Sequence, residues 1–317
     1  MASSDNKGPD LVCLEDNPAP EGAEVIWYKG RKGRRLRLLY APDPKGGVKT
    51  RGLALVCPGR TEFIEKYFET ARDLQARGFA VAIFDWPGQG LSDRLHKEKL
   101  AGHVGGYSLY VDALLKGLQA LGGRAREPYV IVAHSMGGAI ALEALRSRRL
   151  KVAAAAFSAP MWGLSVWFFQ RWFLRLARLF GFGAAQPLPP GPEETFETNL
   201  LTHDERRWRL HRRLIELEPA LALGQPTIAW IVSSLDVIKG FFRPAALDHL
   251  RRTPVLVAIA TEEAIVRKAS QKKLARRFGS GKTLLVEGAS HEILMETDER
   301  REKFFASFDD LCRRAKI

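Results

Sequence analysis

Apolar residues in this chain come in short unbroken runs separated by amphipathic stretches. Two early runs, 25–30 and 34–41, flank Gly30 and Gly33 and predict a hairpin. After them a strand–helix rhythm sets in. Leu53–Cys57 is continuously apolar and ends in Pro58-Gly59, Phe63–Arg77 has helical spacing and stops at Gly78, and Ala80–Phe84 is a second buried run. Tyr107–Leu121 reads as a helix stopped by Gly122-Gly123, Tyr129–Ala133 as a third strand with a helix directly after it, and Val152–Phe157 as a fourth strand. Strands apolar on both faces that alternate with helices predict an α/β architecture: a mainly parallel sheet covered on both sides.

The rhythm breaks after Met161. For roughly 90 residues no strand–helix alternation is visible, far more than an ordinary connection. It resumes at Pro254–Ala260, followed by a helix, a strand at Thr283–Val286 and a last helix at Asp298–Arg314. The expected organisation is therefore a flexible N-terminal segment (1–24), a core in two parts (25–161 and 251–317), and a helical cap or lid (162–250) inserted between them. Within the cap, Val166–Phe180 interleaves aromatic residues with Arg171, Arg175 and Arg178, which share one helical face. Such a helix could lie on a lipid surface with its arginines toward phosphates, line an acyl pocket, or pack its apolar face on the sheet. A Pro/Gly-rich turn at Gln186–Pro192 and a charged helix at Glu205–Leu217 follow.

Bulk composition changes this picture in one respect. Of 317 residues, 46% are hydrophobic and 27% charged, ordinary for a chain with a real core, but the net charge is +13. The arginines are dispersed (Arg31–Arg37, Arg206–Arg213, Arg251-Arg252, Arg276-Arg277, Arg313-Arg314) and no nucleic-acid motif accompanies them. An arginine-rich solvated surface is the first expectation, attraction to anionic lipid the second, and nucleic acid is not expected as a partner. Cys13, Cys57 and Cys312 are odd in number and widely spaced, so they read as free thiols of a reducing compartment, not as a disulfide frame or metal site. The first residues show no basic–apolar leader pattern, and no apolar run approaches the ~20 residues needed to cross a bilayer. The expected location is the cytoplasm, with peripheral contact to the inner face of the membrane; the sequence carries no signal for an oligomeric state.

The candidate chemistry starts from Val130–Ala141, where an apolar strand runs into Ala133-His134-Ser135-Met136-Gly137-Gly138 and then a helix. A serine at the apex of such a turn matches a nucleophile elbow, G-x-S-x-G with Ala133 at the first glycine. A serine hydroxyl needs a base, and the base an orienting acid, in the chain order Ser, acid, His. His96, His103 and His134 precede the serine, His203, His211 and His249 fall in the expected cap, and His291 alone lies just beyond a late strand. The acid belongs after the preceding strand, where Glu262 and Glu263 are adjacent. Neighbouring side chains there point opposite ways, and we choose Glu263, with Glu262 as its rival and Asp236 and Asp248 as further candidates. Two backbone amides must bind the oxyanion: that of Met136, and one from Cys57–Glu62, where Gly59 permits the turn and Arg60 is the expected donor. The turn Asp85–Ser92, after the second parallel strand, is expected beside the site.

With these pieces assembled, the chain resembles the α/β-hydrolase superfamily, most closely its bacterial lysophospholipases and the monoglyceride-lipase-like and serine-aminopeptidase-like hydrolases. The resemblance runs from about residue 25 to the C-terminus. It is carried by Pro58–Phe63, Asp85–Ser92, Ala133–Gly138, Ser158–Met161, Asn199–Thr202 and Gly288–Glu292. It implies Ser135 as nucleophile, His291 as base, and the residue at 263 as acid, where the family commonly carries aspartate and this chain has a glutamate. It further implies a single-chain lipid ester as substrate and calls for no cofactor and no metal. Two other readings remain: an aminopeptidase on the same scaffold, holding a substrate amine with Glu193, Glu194 and Glu197, or a non-catalytic basic protein binding membrane or nucleic acid.

Overall fold

A computed structural model describes residues 10–43, 50–187 and 194–317. Its centre is an eight-stranded sheet: β1 (Glu24–Lys29), β2 (Arg35–Ala41), β3 (Leu53–Cys57), β4 (Ala80–Phe84), β5 (Tyr129–His134), β6 (Ala154–Ser158), β7 (Val255–Ala260) and β8 (Gly281–Val286), in the order β1-β2-β4-β3-β5-β6-β7-β8. The β1–β2 hairpin and the β2–β4 pair are antiparallel, and every other pair is parallel. This is the α/β class expected from the apolar runs.

Both faces of the sheet's central strands are buried because they carry apolar side chains in both phases of their alternation, while the edge strands β1 and β8 are more exposed. Leu53, Leu55 and Cys57 enter the core shared with helices α2 (Ser108–Leu121) and α3 (Ser135–Arg146). Ala54 and Val56 enter the core under α1 (Phe68–Ala76) and α8 (Asp298–Ala315). The sheet order reverses at β3, whose sequence neighbour β4 lies on one side while β5 lies on the other. The loops after β3 and β5 thus open side by side at the carboxyl edge, where such sheets place their crevice.

Between β6 and β7 the chain builds α4 (Phe168–Leu179), α5 (Glu205–Leu217) and α6 (Ile228–Phe241); α7 (Lys268–Ala275) follows β7. Helix α5 begins on Asp204, whose side chain accepts from the Arg207 amide, and ends where Glu218 precedes Pro219. Helix α6 has no counterpart in the sequence reading: twelve of its fourteen residues are buried, so no apolar stripe stands out against a polar one.

Of the N-terminal segment expected to be loose, residues 10–23 lie against the body. Val12 is buried and its amide donates to Glu65, while Asn17 donates to the Glu65 carbonyl. Residues 1–9 lie outside the described residues, as does most of the turn at Gln186–Pro192.

Helix α4 departs from two of the three readings of its orientation. Its arginines face the protein: Arg175 pairs with Asp236 of α6 at 2.7 Å, Arg178 donates to Ser233 and to the Gly105 carbonyl, and Arg171 donates to the Val166 carbonyl. Its aromatic side faces outward, with Trp167, Phe168, Phe169, Trp172, Phe173, Leu179 and Phe180 exposed and only Leu174 buried. The arginines therefore do not face phosphates, and the aromatic stripe does not pack on the sheet. Partners on α6 and at Gly105 decide the orientation, and spacing along α4 carries no information about them. A groove of about 780 Å³ lined by Val166, Phe169, Phe173, Leu174 and Ile231 runs beside the aromatic face.

Candidate active site

At the end of β5 the backbone folds sharply so that Ser135 sits at φ +47°, a left-handed conformation that costs a non-glycine residue about 1–2 kcal/mol. The turn is held because α3 begins at once and because Gly137 leaves room for the end of β3. A Cβ at that position would stand 2.0 Å from the Cys57 carbonyl oxygen. This close approach brings the loop after β3 alongside the first turn of α3, whose leading amides have no partner within the helix.

Ser135, His291 and Glu263 meet there. His291 Nε2 lies 2.9 Å from Ser135 Oγ, and His291 Nδ1 lies 2.7 Å from Glu263 Oε2. The other Glu263 oxygen accepts from the amides of Ile265 and Val266. Burial alone would raise the Glu263 carboxyl. The His291 bond and charge and the two amides outweigh that and hold it below the ordinary value. An ionised carboxylate accepts only, so Nδ1 carries the proton and donates it, which leaves Nε2 to accept from the serine hydroxyl. All three residues are less than a tenth exposed.

Glu262 turns the other way, to His203 Nε2 at 3.3 Å, and is exposed. Asp236 is taken by Arg175, and Asp248 is exposed. Among the other histidines, His203 is held by Glu296, His211 stacks on Phe63, and His249 bonds the Leu145 carbonyl. Of the acidic group considered for an amine, Glu194 lies 3.8 Å from Arg212, Glu197 is exposed, and Glu193 lies outside the described residues.

The loop after β3 is braced from below. Asp85 is fully buried and accepts from the amides of Ile64 and Leu91 and from Arg37. Trp86 donates to the Pro58 carbonyl, and Gln89 donates to the Gly59 carbonyl while accepting from the Thr61 amide. The Asp85–Ser92 turn is thus the floor of this loop. Among the described residues the amide of Arg60 donates no hydrogen bond. The Arg60 side chain points away, to the Gly224 carbonyl at 2.7 Å, where burial lowers the guanidinium to about 10.

A buried charged cluster beside the site escaped the sequence reading. Lys66 Nζ lies 2.9 Å from Glu62 and 2.6 Å from Glu292, and Tyr67 donates to Glu62. His134, whose ring stands 4.8 Å from that of His291, donates from Nδ1 to the Ser158 carbonyl. Burial holds His134 neutral, down to about 4, against the attraction of Glu62. Burial would raise Glu62, but the Lys66 ammonium and the hydrogen bonds from Tyr67 and Lys66 reverse the direction and keep it ionised. The available signal was charge at Glu62, Glu65 and Lys66 inside an otherwise core-forming segment. Ligand atoms of Glu62, His134 and Glu292 come within 4.8 Å of one another, but the Lys66 ammonium already sits between the two carboxylates.

A parallel sheet with a serine elbow on its fifth strand and a late histidine loop defines the α/β-hydrolase class. A family model described as "Serine aminopeptidase, S33" matches residues 48–298, and the chain belongs to that family. It is 32% identical over 283 residues to lysophospholipase L2 of Escherichia coli, covering 83% of this chain and 80% of the relative. To a probable lysophospholipase L2 of Haemophilus influenzae it is 28% identical, with 89% of each chain covered. Among solved structures, a soluble variant of monoglyceride lipase from Saccharomyces cerevisiae, in complex with a substrate analog, superposes with a TM-score of 0.72 at 18% identity, over 94% of this chain and 96% of that one.

Proposed function

We propose that this chain is a serine hydrolase that cleaves carboxylic esters of single-chain lipids, lysophospholipids or monoacylglycerols, by way of an acyl-enzyme. The observation that carries the reading is the His291 ring held between Ser135 Oγ and Glu263 at 2.9 and 2.7 Å, in a chain similar to lysophospholipases. Ser135 attacks the ester carbonyl while His291 Nε2 takes its proton. Glu263 keeps the imidazole in the accepting tautomer and stabilises its charged form. The amides of Met136 and Arg60 bind the oxyanion, His291 returns the proton to the leaving alcohol, and water repeats the sequence to release the fatty acid. Substrate and water balance both steps.

The segment 162–250 serves in this reading as the cap, and the outward aromatic face of α4 is the surface we assign to an anionic bilayer. Its support is the row of exposed large apolar side chains from Trp167 to Phe182, on a chain whose net charge of +13 attracts anionic lipid. Exposed aromatics then enter the interface, and the paired arginines hold the helix to α6.

The deciding assay sets lysophosphatidylethanolamine, a monoacylglycerol, a diacyl phospholipid and an aminoacyl anilide before the wild type and Ser135→Ala. Hydrolysis of the two monoacyl lipids alone is expected, lost by roughly 10⁴-fold or more in the variant. Cleavage of the anilide in preference to the esters would overturn the reading in favour of an aminopeptidase.

A further inference from the structure

The cluster around Lys66 has two ends, and each attaches to a moving part of the proposed reaction. At one end Lys66 Nζ binds Glu292, the residue directly after His291, at 2.6 Å. At the other it binds Glu62 at 2.9 Å, and the second Glu62 oxygen accepts from the Gly59 amide and from the Tyr67 hydroxyl. Gly59 is the residue directly before Arg60. A single ammonium thus links the histidine loop to the loop expected to supply an oxyanion amide, although the two are more than 220 residues apart along the chain, as the Lys66–Glu292 bond shows.

This arrangement is a poor device for stability alone. Lys66, Glu62 and Glu292 side chains are 3%, 3% and 9% exposed. Taking three charges out of water costs several kcal/mol per ion, and apolar residues of similar volume generally stabilise as well or better. What the ion cluster supplies is fixed geometry, through short charge-assisted bonds in a low-dielectric site.

We propose that Lys66 is a positioning residue that sets the distance between the His291 imidazole and the Arg60 amide, so that base and oxyanion donor reach one tetrahedral centre together. The proposal rests on the serine-hydrolase reading. Lys66 itself touches neither substrate nor serine. It acts through Glu62 on one loop and through Glu292 on the other.

The test compares wild type, Lys66→Arg, Glu292→Gln and the double variant Lys66→Met/Glu292→Gln on a soluble p-nitrophenyl ester, with thermal unfolding and fluorophosphonate labelling measured in parallel. The double variant removes one positive and one negative charge, so the cluster keeps its net charge, and Glu62, without its ammonium, keeps the Gly59 amide and the Tyr67 hydroxyl. Its kcat should fall roughly 10- to 100-fold with KM changed less than about threefold, as expected for misplacement near 1 Å. Labelling should slow in step with kcat. Lys66→Arg, which keeps the charge, should recover most of the rate. Folded double and Glu292→Gln variants with kcat within about twofold of wild type would overturn the proposal. If the double variant does not fold, Glu292→Gln alone decides by the same criterion. A wild type that hydrolyses no ester and takes no label would sink the serine-hydrolase reading instead.

Discussion

The corner around Ser135 and the surface of α4 invert the usual partition of residues in opposite directions. In the corner, Lys66, Glu62, Glu292, His134, His291 and Glu263 are sealed from water and bonded to one another or to backbone. On α4, Trp172, Phe173, Leu179 and Phe180 stand in solvent while arginines of the same helix are bonded to protein. Buried charge and exposed aromatic surface are each costly, so each points to work other than folding. The corner is a place where geometry is held. The helix presents an exposed apolar face.

The sharpest way to break the comparison is at the acid. Glu263→Gln should lower kcat by about 10³- to 10⁴-fold by favouring the wrong imidazole tautomer, whereas Glu262→Gln, which faces His203, should change it less than about twofold. Steady-state rates on one soluble ester measure both. Equal losses would mean that the two glutamates share the role.

On the other side, the triple variant Trp172→Ser/Leu179→Ser/Phe180→Ser should weaken binding to vesicles of phosphatidylglycerol by roughly 10³-fold in a sedimentation assay, given about 1.5–3 kcal/mol for burying each such side chain. Unaltered vesicle binding would remove α4 from the membrane reading and leave the corner untouched.

The smallest effect concerns His134. Its imidazole, near 6.5 in an unfolded chain, is lowered to about 4 by burial, with repulsion from His291 and Lys66 opposing the pull of Glu62. Between those values the unfolded chain binds the extra proton, so stability rises with pH. This contribution is present above pH 6.5 and is lost as pH falls toward 4. Denaturant titrations should show a decline of about 3 kcal/mol from this group over that interval, absent in His134→Asn.

How much of this was legible in the primary structure depends on the range of the interaction. The central strands were visible as unbroken apolar runs because β-strands covered on both faces need no partner to declare their pattern, and the more exposed edge strands β1 and β8 as shorter apolar stretches. Helix α6 was not, since a helix apolar on nearly all sides has no stripe. Ser135 and His291 stood out through local turn chemistry and chain order, and the acid was expected at Glu263, with its neighbour Glu262 as rival. The Lys66 cluster stayed hidden because its members come from residues 62, 66, 134 and 292, and a charge in an amphipathic segment reads as surface.

The amino-acid sequence by itself determined the α/β class, the elbow at Ser135, the histidine at 291 and the amphipathic character of α4, because each rests on spacing within one segment. Tertiary structure alone decided which face of α4 looks outward and that a lysine joins the loop after β3 to the loop carrying His291, and it brought the expected Glu263 against that ring. Those outcomes depend on where distant segments come to rest against each other, and electrostatic and packing contacts between such segments leave no period along the chain.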